Sequence, residues 1–296
     1  MEIEVSSTFE LEKAVCNHGF FMMAPNRWIP STKTLVRPLR LPDNNKSVTV
    51  SISQSCPTFI SVSILDNPLI ISTSPILDQV KRMLRLSEKE EEAVKEFHRL
   101  HADAANKGFG RLFRNPSLFE DIVKTCLLCA CRFKDSLEMA ERLCRLNPKR
   151  KRGRRKEGDL NFPTAHQVSK MDRSKMKKIL GYRCDVVLDL AKDVTSGKIN
   201  LDHLEHRYSN GDDLYQHLRK IKGIGDFVSS NILMCLGFYH RLPVDSETIR
   251  HIKQVTFELV EYYESKVGKL GLLEKADYKS VAGSFLNKRT SNSIQI

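Results

Sequence analysis

Hydrophobic residues follow two different periods along the chain, and the period changes near residue 75. In the first part, two short segments alternate apolar with polar residues, which is typical of strands with one buried face. Their apolar members are Val48, Val50 and Ile52, then Ile60, Val62 and Ile64. Pro42, Asp43 and the two asparagines that follow indicate a turn before the first segment. Residues 1–75 are therefore predicted to form a β-rich domain with antiparallel strands.

From about residue 76 the pattern becomes helical. Ser87 with Glu90 forms a capping box that opens one helix. Asn115 and Pro116 supply a cap and a first-turn proline for the next. Further predicted helical segments span residues 134–145 and 173–195, the latter interrupted at Gly181.

The most informative helical segments are two that are joined by a very short turn, at about residues 212–237. Each presents one apolar face at helical spacing; the positions are Leu214, Leu218 and Ile221, then Val228, Ile232 and Cys235. Gly223 and Gly225 lie between them, spaced as in a turn whose backbone angles other residues avoid. The pattern predicts a helix-hairpin-helix.

Such a hairpin offers unpaired N–H groups at the positive end of a helix dipole, which suits a phosphate. A KGIG turn also joins many ordinary helices. Asp245 lies twenty residues after Gly225, in LPVDSETIRH, at the predicted start of another helix. The dipole there favours an ionised carboxylate, which could oppose positive charge developing on a sugar. The alternative is that Asp245 only caps its helix.

Composition favours a polyanionic partner. The chain has 296 residues, with 48 Lys and Arg against 36 Asp and Glu, a net charge of +12. This balance favours nucleic acid through phosphate neutralisation and counterion release. The first residues are acidic, unlike a secretory signal, and no apolar run approaches the ~20 residues of a membrane helix. We expect a soluble chain with no membrane partner.

A basic loop is predicted at residues 148–158, where the sequence reads PKRKRGRRK over 148–156. Such a run is typical of a nuclear localisation signal or of an extra phosphate-binding arm. The alternative is a merely solvated loop. Both functional interpretations indicate the nucleus.

The eight cysteines include one local group, Cys126, Cys129 and Cys131. In an intracellular protein they are expected to be reduced. The group lies in the apolar run IVKTCLLCACRF without a paired CxxC or a histidine at zinc spacing. Buried thiols are therefore favoured over a metal site.

Residues 213–253 resemble the helix-hairpin-helix DNA glycosylase superfamily, whose signature is this hairpin, a Gly/Pro-rich loop and a catalytic Asp. The similarity extends through GFGRLFRNPSLFEDIVKT (108–125) and through residues 162–191. It is greatest with the 8-oxoguanine and alkylation-repair branches, which carry an extra N-terminal β-domain. The expected fold is α+β: the β-domain (1–75), a helical glycosylase domain (76–285) and a disordered tail (286–296).

The resemblance implies a nuclear enzyme of base-excision repair that acts, as a monomer, on lesion-bearing double-stranded DNA. It flips a damaged base out of the duplex, and ionised Asp245 stabilises the cationic sugar while the N-glycosidic bond breaks. Residues carried over to DNA binding are Lys222, Gly223, Ile224, Gly225 and Asp226 in the hairpin, and Tyr182 and Arg183, which would push into the duplex. Residues expected near the base pocket are Asn231, Met234 and Cys235.

Relatives also bind a monovalent cation through hairpin carbonyls, which correspond here to those of Arg219, Ile221 and Ile224. Some branches carry an iron–sulfur cluster on four cysteines after the catalytic Asp. This chain has no cysteine beyond Cys235, so no such cluster and no other cofactor are expected.

Three departures from the family pattern refine the expected activity. Phe227 occupies the place of the nucleophilic Lys of glycosylase-lyases, and an aromatic ring cannot form a Schiff base. Ala130 replaces the asparagine that fills the hole left by the flipped base in the 8-oxoguanine branch, and Asp135 replaces an arginine that reads the opposite cytosine. The sequence favours a monofunctional glycosylase that is not specific for 8-oxoguanine opposite cytosine. The alternatives are a DNA-binding protein with weak or no catalysis, and a glycosylase-lyase that uses another lysine.

Overall fold

The structure is a computed structural model that describes residues 1–41, 47–66, 73–146, 161–250 and 252–254. The turn predicted at residues 42–45, the basic loop at 148–158 and the tail at 286–296 lie outside these ranges. The described part contains a sheet followed by helices, as expected for an α+β chain. No described helix has the length and apolar character needed to cross a bilayer.

The N-terminal sheet has five described strands in the order β1-β5-β4-β3-β2, and every neighbouring pair is antiparallel. The two alternating segments form the central hairpin, in which Ile52 faces Val62 and Val50 faces Ile64. Five of the six apolar side chains have almost no contact with solvent, and Ile64 is half-buried, so the predicted strands are confirmed. The strands are β1 (Glu2–Glu4), β2 (Arg27–Ile29), β3 (Thr34–Arg40), β4 (Ser47–Cys56) and β5 (Phe59–Ile64).

The helices surround one apolar core that is continuous with the inner face of the sheet. Helical structure after the sheet begins at Ser74, slightly before the predicted residue 76. The described helices are α1 (Leu11–Val15), α2 (Ser74–Leu84), α3 (Glu88–Leu100), α4 (Ala102–Asn106), α5 (Leu118–Leu128), α6 (Phe133–Arg145), α7 (Ala165–Ser169), α8 (Arg173–Leu180), α9 (Arg183–Thr195), α10 (Leu201–His206), α11 (Gly211–Arg219) and α12 (Asp226–Cys235).

The local signals for helix starts were right for α3 and wrong for α5. Ser87 caps α3 and accepts a hydrogen bond from the N–H of Glu90. Helix α5, however, is capped by Ser117, which accepts from the N–H of Glu120. Asn115 is instead fully buried, because its side chain binds Asp121 and Lys124 inside the protein.

Helix α5 is the central helix, and its polar side chains are buried with their partners. Arg37 of β3 lies 3.1 Å from Glu120, which also pairs with Lys124 at 2.7 Å. Burial alone would raise the pKa of Glu120, but Arg37 and Lys124 lower it below its usual value. Since an unpaired charge at this depth would be costly, the network fixes how the sheet docks on α5.

Candidate nucleic-acid interface

The predicted helix-hairpin-helix is formed by α11 and α12, with residues 220–225 as the turn. Leu214 and Leu218 of α11 and Val228 and Ile232 of α12 point into the core, as their spacing predicts. Ile224, at the centre of the turn, is also buried. The buried side chain of Ile224 therefore anchors the turn on the core, while Lys222 and Gly223 are exposed.

Only one of the two turn glycines needs the conformational freedom of glycine. Gly223 has φ +85°, and a Cβ there would lie 2.4 Å from Cγ2 of Val186 on α9. Gly225 is extended, with φ −91°, and a Cβ there would lie 3.6 Å from Nη1 of Arg219. The expectation that both glycines adopt angles other residues avoid is right for Gly223 and wrong for Gly225.

The start of α12 presents amide groups without a side-chain cap. Gly225 is the N-cap residue and has no side chain to accept from the first-turn N–H groups. Lys222 stands beside them with 87% of its side chain exposed, and its ammonium lies 3.2 Å from Asp189. An exposed ion pair of this kind contributes little to stability. Lys222 is thus accessible to an anion, and the first-turn amides of α12 have no side-chain cap that would compete with one.

Asp226, the first residue of α12, has partners within the hairpin. The hydroxyl of Tyr215 donates to its Oδ1 at 2.6 Å, and Nε of Arg219 lies 3.1 Å from the same oxygen. Partial burial, and then Asp226 itself, raise the pKa of Tyr215. Asp226 therefore joins α11 to α12, and the DNA contact implied by the resemblance stays a prediction.

Two of the three carbonyls expected to bind a monovalent cation, those of Ile221 and Ile224, accept hydrogen bonds from the protein itself. The oxygen of Ile221 accepts the N–H of Ile224 at 3.0 Å. The oxygen of Ile224 accepts from Nη1 of Arg219, also at 3.0 Å. Because a guanidinium already lies against one of these oxygens, a metal ion there would meet a like charge at close range. The residues present do not fit the implied ion.

Asp245 immediately precedes a helical segment whose described residues are 246–250 and 252–254. Its Oδ1 accepts hydrogen bonds from N and Oγ1 of Thr248, each at 2.7 Å. Asp245 therefore caps this helix, as the alternative interpretation of the sequence predicts. Asp245 is exposed, and no residue in the described ranges donates to its Oδ2. One carboxylate oxygen thus holds an exposed side chain in place, and the other has no protein donor in the described ranges.

The segment that leads to Asp245 is tied to the hairpin through α11. Nε and Nη2 of Arg241 donate to Oδ1 of Asp212 at 3.0 and 2.8 Å. The guanidinium also lies 4.1 Å from the centre of the Tyr215 ring. The hydrogen bond from Arg241 lowers the pKa of Asp212. Tyr215 thus contacts both the hairpin, through Asp226, and the segment before Asp245.

A second exposed site lies where α5 ends and α9 begins. Tyr182 is 63% exposed, and its hydroxyl donates to the carbonyl oxygen of Cys129 at 3.0 Å. Arg183 donates to the same oxygen but is buried, and its guanidinium lies 4.3 Å from the Tyr182 ring centre. Arg183 therefore supports Tyr182 from behind, contrary to the expectation that it pushes into a duplex itself.

Two of the three family departures lie near Tyr182: Ala130 in the loop after α5, and Asp135 in the first turn of α6. Ala130 is exposed and has φ +45°, a left-handed conformation that asparagine and glycine adopt more easily. Asp135 binds Arg132 through both carboxylate oxygens, each at 3.0 Å. This pairing lowers the pKa of Asp135. The exposed positive group on this loop is thus Arg132, whose side chain is 83% exposed.

The residues expected near a base pocket have unequal access to solvent. Asn231 and Cys235 are buried, and Nδ2 of Asn231 donates to the carbonyl oxygen of Phe227 at 3.1 Å. Met234 is half-buried. The guanidinium of Arg85, at the end of α2, donates to the carbonyl oxygens of Met234 and Cys235. In this conformation the segment is packed against its neighbours rather than open.

The members of the local cysteine group differ in burial: Cys126 is buried, as expected, whereas Cys129 and Cys131 are half-buried. Cys126 is buried, and this burial raises the pKa of its thiol. The thiol of Cys131 donates to the carbonyl oxygen of Leu127 at 3.2 Å. Within the described ranges, no three His, Cys, Asp or Glu side chains converge as they would around a metal ion.

Sequence reasoning missed the side-chain contacts that join these elements. The sequence pattern indicates a role for Arg219 only through its carbonyl, and none for Tyr215 or Arg241. Opposite charges at Arg219 and Asp226, on either side of the turn, were an available signal. The contact of Arg241 with Asp212, 29 residues away in sequence, had no local signal.

Neither a protein-family model nor a curated protein sequence matches the chain. Solved structures do. A 3-methyladenine DNA glycosylase from Archaeoglobus fulgidus is 18% identical, with a TM-score of 0.65 over 90% of this chain and 92% of its own. The Clostridium acetobutylicum 8-oxoguanine glycosylase/lyase, in complex with double-stranded DNA containing cytosine opposite 8-oxoguanine, is 17% identical, with a TM-score of 0.59 over 93% and 89%. Its apo form gives 16% identity and a TM-score of 0.61 over 91% and 94%.

These similarities extend over nearly the whole length of each protein. At such low identity they establish a shared fold: an antiparallel sheet followed by a mainly helical region that contains the hairpin. The resemblance to DNA glycosylases stated from the sequence is confirmed at this level.

Proposed function

We propose that this chain is a monofunctional DNA glycosylase of base-excision repair, acting on double-stranded DNA. The observation that carries the proposal is the position of Asp245. It follows a segment anchored to α11 of the hairpin through Arg241, and one carboxylate oxygen is fixed by Thr248. The other oxygen is left without a described donor, so a carboxylate held in place is available for chemistry.

In the proposed reaction, a backbone phosphate binds at the exposed amides of the hairpin and the target nucleotide leaves the stack. The bond between the sugar C1′ and the base nitrogen breaks, and positive charge develops on the sugar. The Asp245 carboxylate stabilises that charge and takes a proton from the attacking water, whose oxygen bonds to C1′. The base leaves with its bonding electrons and gains a proton.

The absence of lyase activity is supported by the side chain at the start of α12. Phe227 cannot supply an amine, and the nearby Lys222 pairs with Asp189. A Schiff base requires a neutral amine that reaches the sugar carbon. One structural neighbour is a glycosylase/lyase, so we base this part of the proposal on Phe227 rather than on the fold.

A DNA-binding protein without catalysis is the second candidate. One observation favours it: Asn231 and Cys235, expected near the pocket, are buried by packing in this conformation. A glycosylase of this design would have to open that region to admit a base. We further propose that the protein acts in the nucleus, which its basic composition and the run at residues 148–156 support, and that it acts as a monomer.

One experiment separates these candidates. The protein and an Asp245→Asn variant are incubated with duplexes that carry alkylated, oxidised or deaminated bases, and half of each sample is treated with alkali. Asparagine also caps helices well, so the variant should fold. We expect the unaltered protein to give strand breaks only after alkali treatment. The variant should still bind DNA but give no breaks. Binding without breaks supports the second candidate, and breaks without alkali would indicate a lyase.

A further inference from the structure

The side chain of Arg219 bridges the hairpin turn, from the end of α11 to the start of α12. Arg219 is the last residue of α11, and its guanidinium spans the turn to the start of α12. Nη1 donates to the carbonyl oxygen of Ile224 at 3.0 Å, and Nε lies 3.1 Å from the carboxylate of Asp226. The planar guanidinium thus holds both the last part of the turn and the first residue of the next helix.

These contacts place a permanent positive charge where backbone carbonyls would otherwise bind a metal ion. The carbonyl of Ile221 accepts one hydrogen bond, from the N–H of Ile224. The carbonyl of Ile224 accepts from the charged guanidinium of Arg219. For a monovalent ion to bind there, it would have to displace or tolerate a guanidinium beside it. The guanidinium of Arg219 therefore already supplies a positive charge at the turn.

The charge is also accessible to DNA. The Arg219 side chain is 39% exposed, and it lies beside the uncapped amides of α12. The carboxylate of Asp226 is shared with the hydroxyl of Tyr215 at 2.6 Å, which fixes the orientation of the guanidinium. No residue in the described ranges accepts from Nη2 of Arg219. Its N–H groups can therefore donate to a phosphate oxygen that approaches the turn.

We infer that the guanidinium of Arg219 serves as the cation of the hairpin, so that this protein binds the DNA backbone without a bound monovalent metal ion. The inference rests on the proposed function in one respect, that DNA is the ligand. It makes Arg219 a positioning residue: it shapes the turn and supplies charge, and it takes no part in breaking the glycosidic bond.

The test is the dependence of DNA binding on the identity of the cation. Affinity for a lesion-bearing duplex is measured in potassium, sodium and tetramethylammonium chloride at equal ionic strength, because total salt alone changes phosphate binding. We expect equal affinities, within about twofold, in all three salts. A tenfold preference of the unaltered protein for potassium over tetramethylammonium would overturn the inference.

The variant Arg219→Ala supplies the second half of the test. It should bind at least about tenfold more weakly in tetramethylammonium, and potassium should restore part of the loss because the carbonyls are freed for an ion. Arg219→Lys, which keeps the charge, should remain independent of the cation. Arg99→Ala on α3 is the control, since Arg99 is an exposed arginine paired only with its own helix. If Arg219→Ala binds as tightly as the unaltered protein, the inference is wrong.

The melting temperature without DNA separates this inference from the proposed function. We expect the unaltered protein to melt at the same temperature in all three salts, and Arg219→Ala to be stabilised by potassium alone. If the unaltered protein binds no DNA in any salt, the proposed function fails, and the melting temperatures still decide the role of Arg219. Stabilisation of the unaltered protein by potassium would contradict that role.

Discussion

The hydroxyl of Tyr182 donates a 3.0 Å hydrogen bond to the carbonyl oxygen of Cys129, while the ring itself is 63% exposed. Large apolar rings are normally buried when a core can take them, and this one is held at the surface by a directed contact. The buried Arg183 lies behind it and donates to the same oxygen. Tyr182 is therefore presented as a rigid, accessible ring beside the loop that carries Ala130.

Removing the ring should cost more than removing the hydroxyl. In Tyr182→Ala we expect binding to a lesion-bearing duplex to weaken by roughly tenfold or more, because stacking of a base on an aromatic ring contributes about 1–3 kcal/mol. Tyr182→Phe keeps the ring and should bind within about threefold of the unaltered protein. Fluorescence anisotropy measures both. Equal losses in the two variants would show that the ring does not stack on DNA.

Replacing each of the two turn glycines by alanine should lower the free energy of unfolding by different amounts. Gly223→Ala should lower the free energy of unfolding by about 2 kcal/mol or more, because of its left-handed backbone and the contact with Val186. Gly225→Ala should change it by less than about 1 kcal/mol, since its backbone is extended and its new methyl group has room. Urea unfolding at neutral pH distinguishes them. Similar losses would contradict the geometry of the turn.

Periodicity predicted most of the fold because it reflects burial, which repeats along an element. The alternation in β4 and β5 and the apolar faces of α11 and α12 therefore appear where expected. Capping is decided by single residues and their tertiary neighbours. Asn115 has the composition of a cap, but Asp121 and Lys124 hold it in the core, and Ser117 caps α5 instead.

The candidate site was less predictable, because its geometry depends on side chains that are distant in sequence. The sequence placed the hairpin, and it placed Asp245 at the start of a helix. It could not indicate that Arg183 is buried behind Tyr182, or that Arg219 turns back onto the carbonyl of Ile224. A spacing pattern gives the position of a residue, whereas the direction of its side chain depends on neighbours that the pattern does not contain.

The anchor at Arg241 should affect chemistry more than DNA binding. In Arg241→Ala the segment before Asp245 loses its hydrogen bonds to Asp212 and its contact with Tyr215. We expect the single-turnover rate of base excision to fall by roughly tenfold, since small displacements of a catalytic group are costly. The affinity for the same duplex should change by less than about threefold, because the hairpin contacts with phosphate remain.

Arg250→Ala is the matched control for this prediction. Arg250 lies in the same helical segment as Asp245 but pairs with Glu247 on that segment at 2.8 Å, and both side chains are exposed. Its removal should leave the excision rate unchanged. A parallel loss of rate and affinity in Arg241→Ala would indicate that Arg241 contacts DNA directly rather than positioning Asp245.

His18 should make the stability of the fold depend on pH in a narrow window. Its ring packs edge-on against Phe20 with 4.3 Å between ring centres, and its Nδ1 has almost no contact with solvent. Burial, and then the positive charge of Arg85, lower the pKa of His18 from 6.5 to about 4. The folded protein thus keeps the ring neutral at a pH where the unfolded chain protonates it.

The sign follows from proton uptake by the unfolded state. The stabilising effect of a neutral His18 is fully present above pH 6.5 and is lost as the pH falls from 6.5 towards 4. Across that window the free energy of unfolding should fall by up to about 1.4 kcal/mol per pH unit from this group. Urea unfolding at several pH values should show a shallower slope for His18→Asn. His206→Asn, which removes an exposed histidine of α10, should keep the slope of the unaltered protein. An unchanged slope in His18→Asn would mean that the imidazole is already protonated in the folded state or is exposed to solvent there.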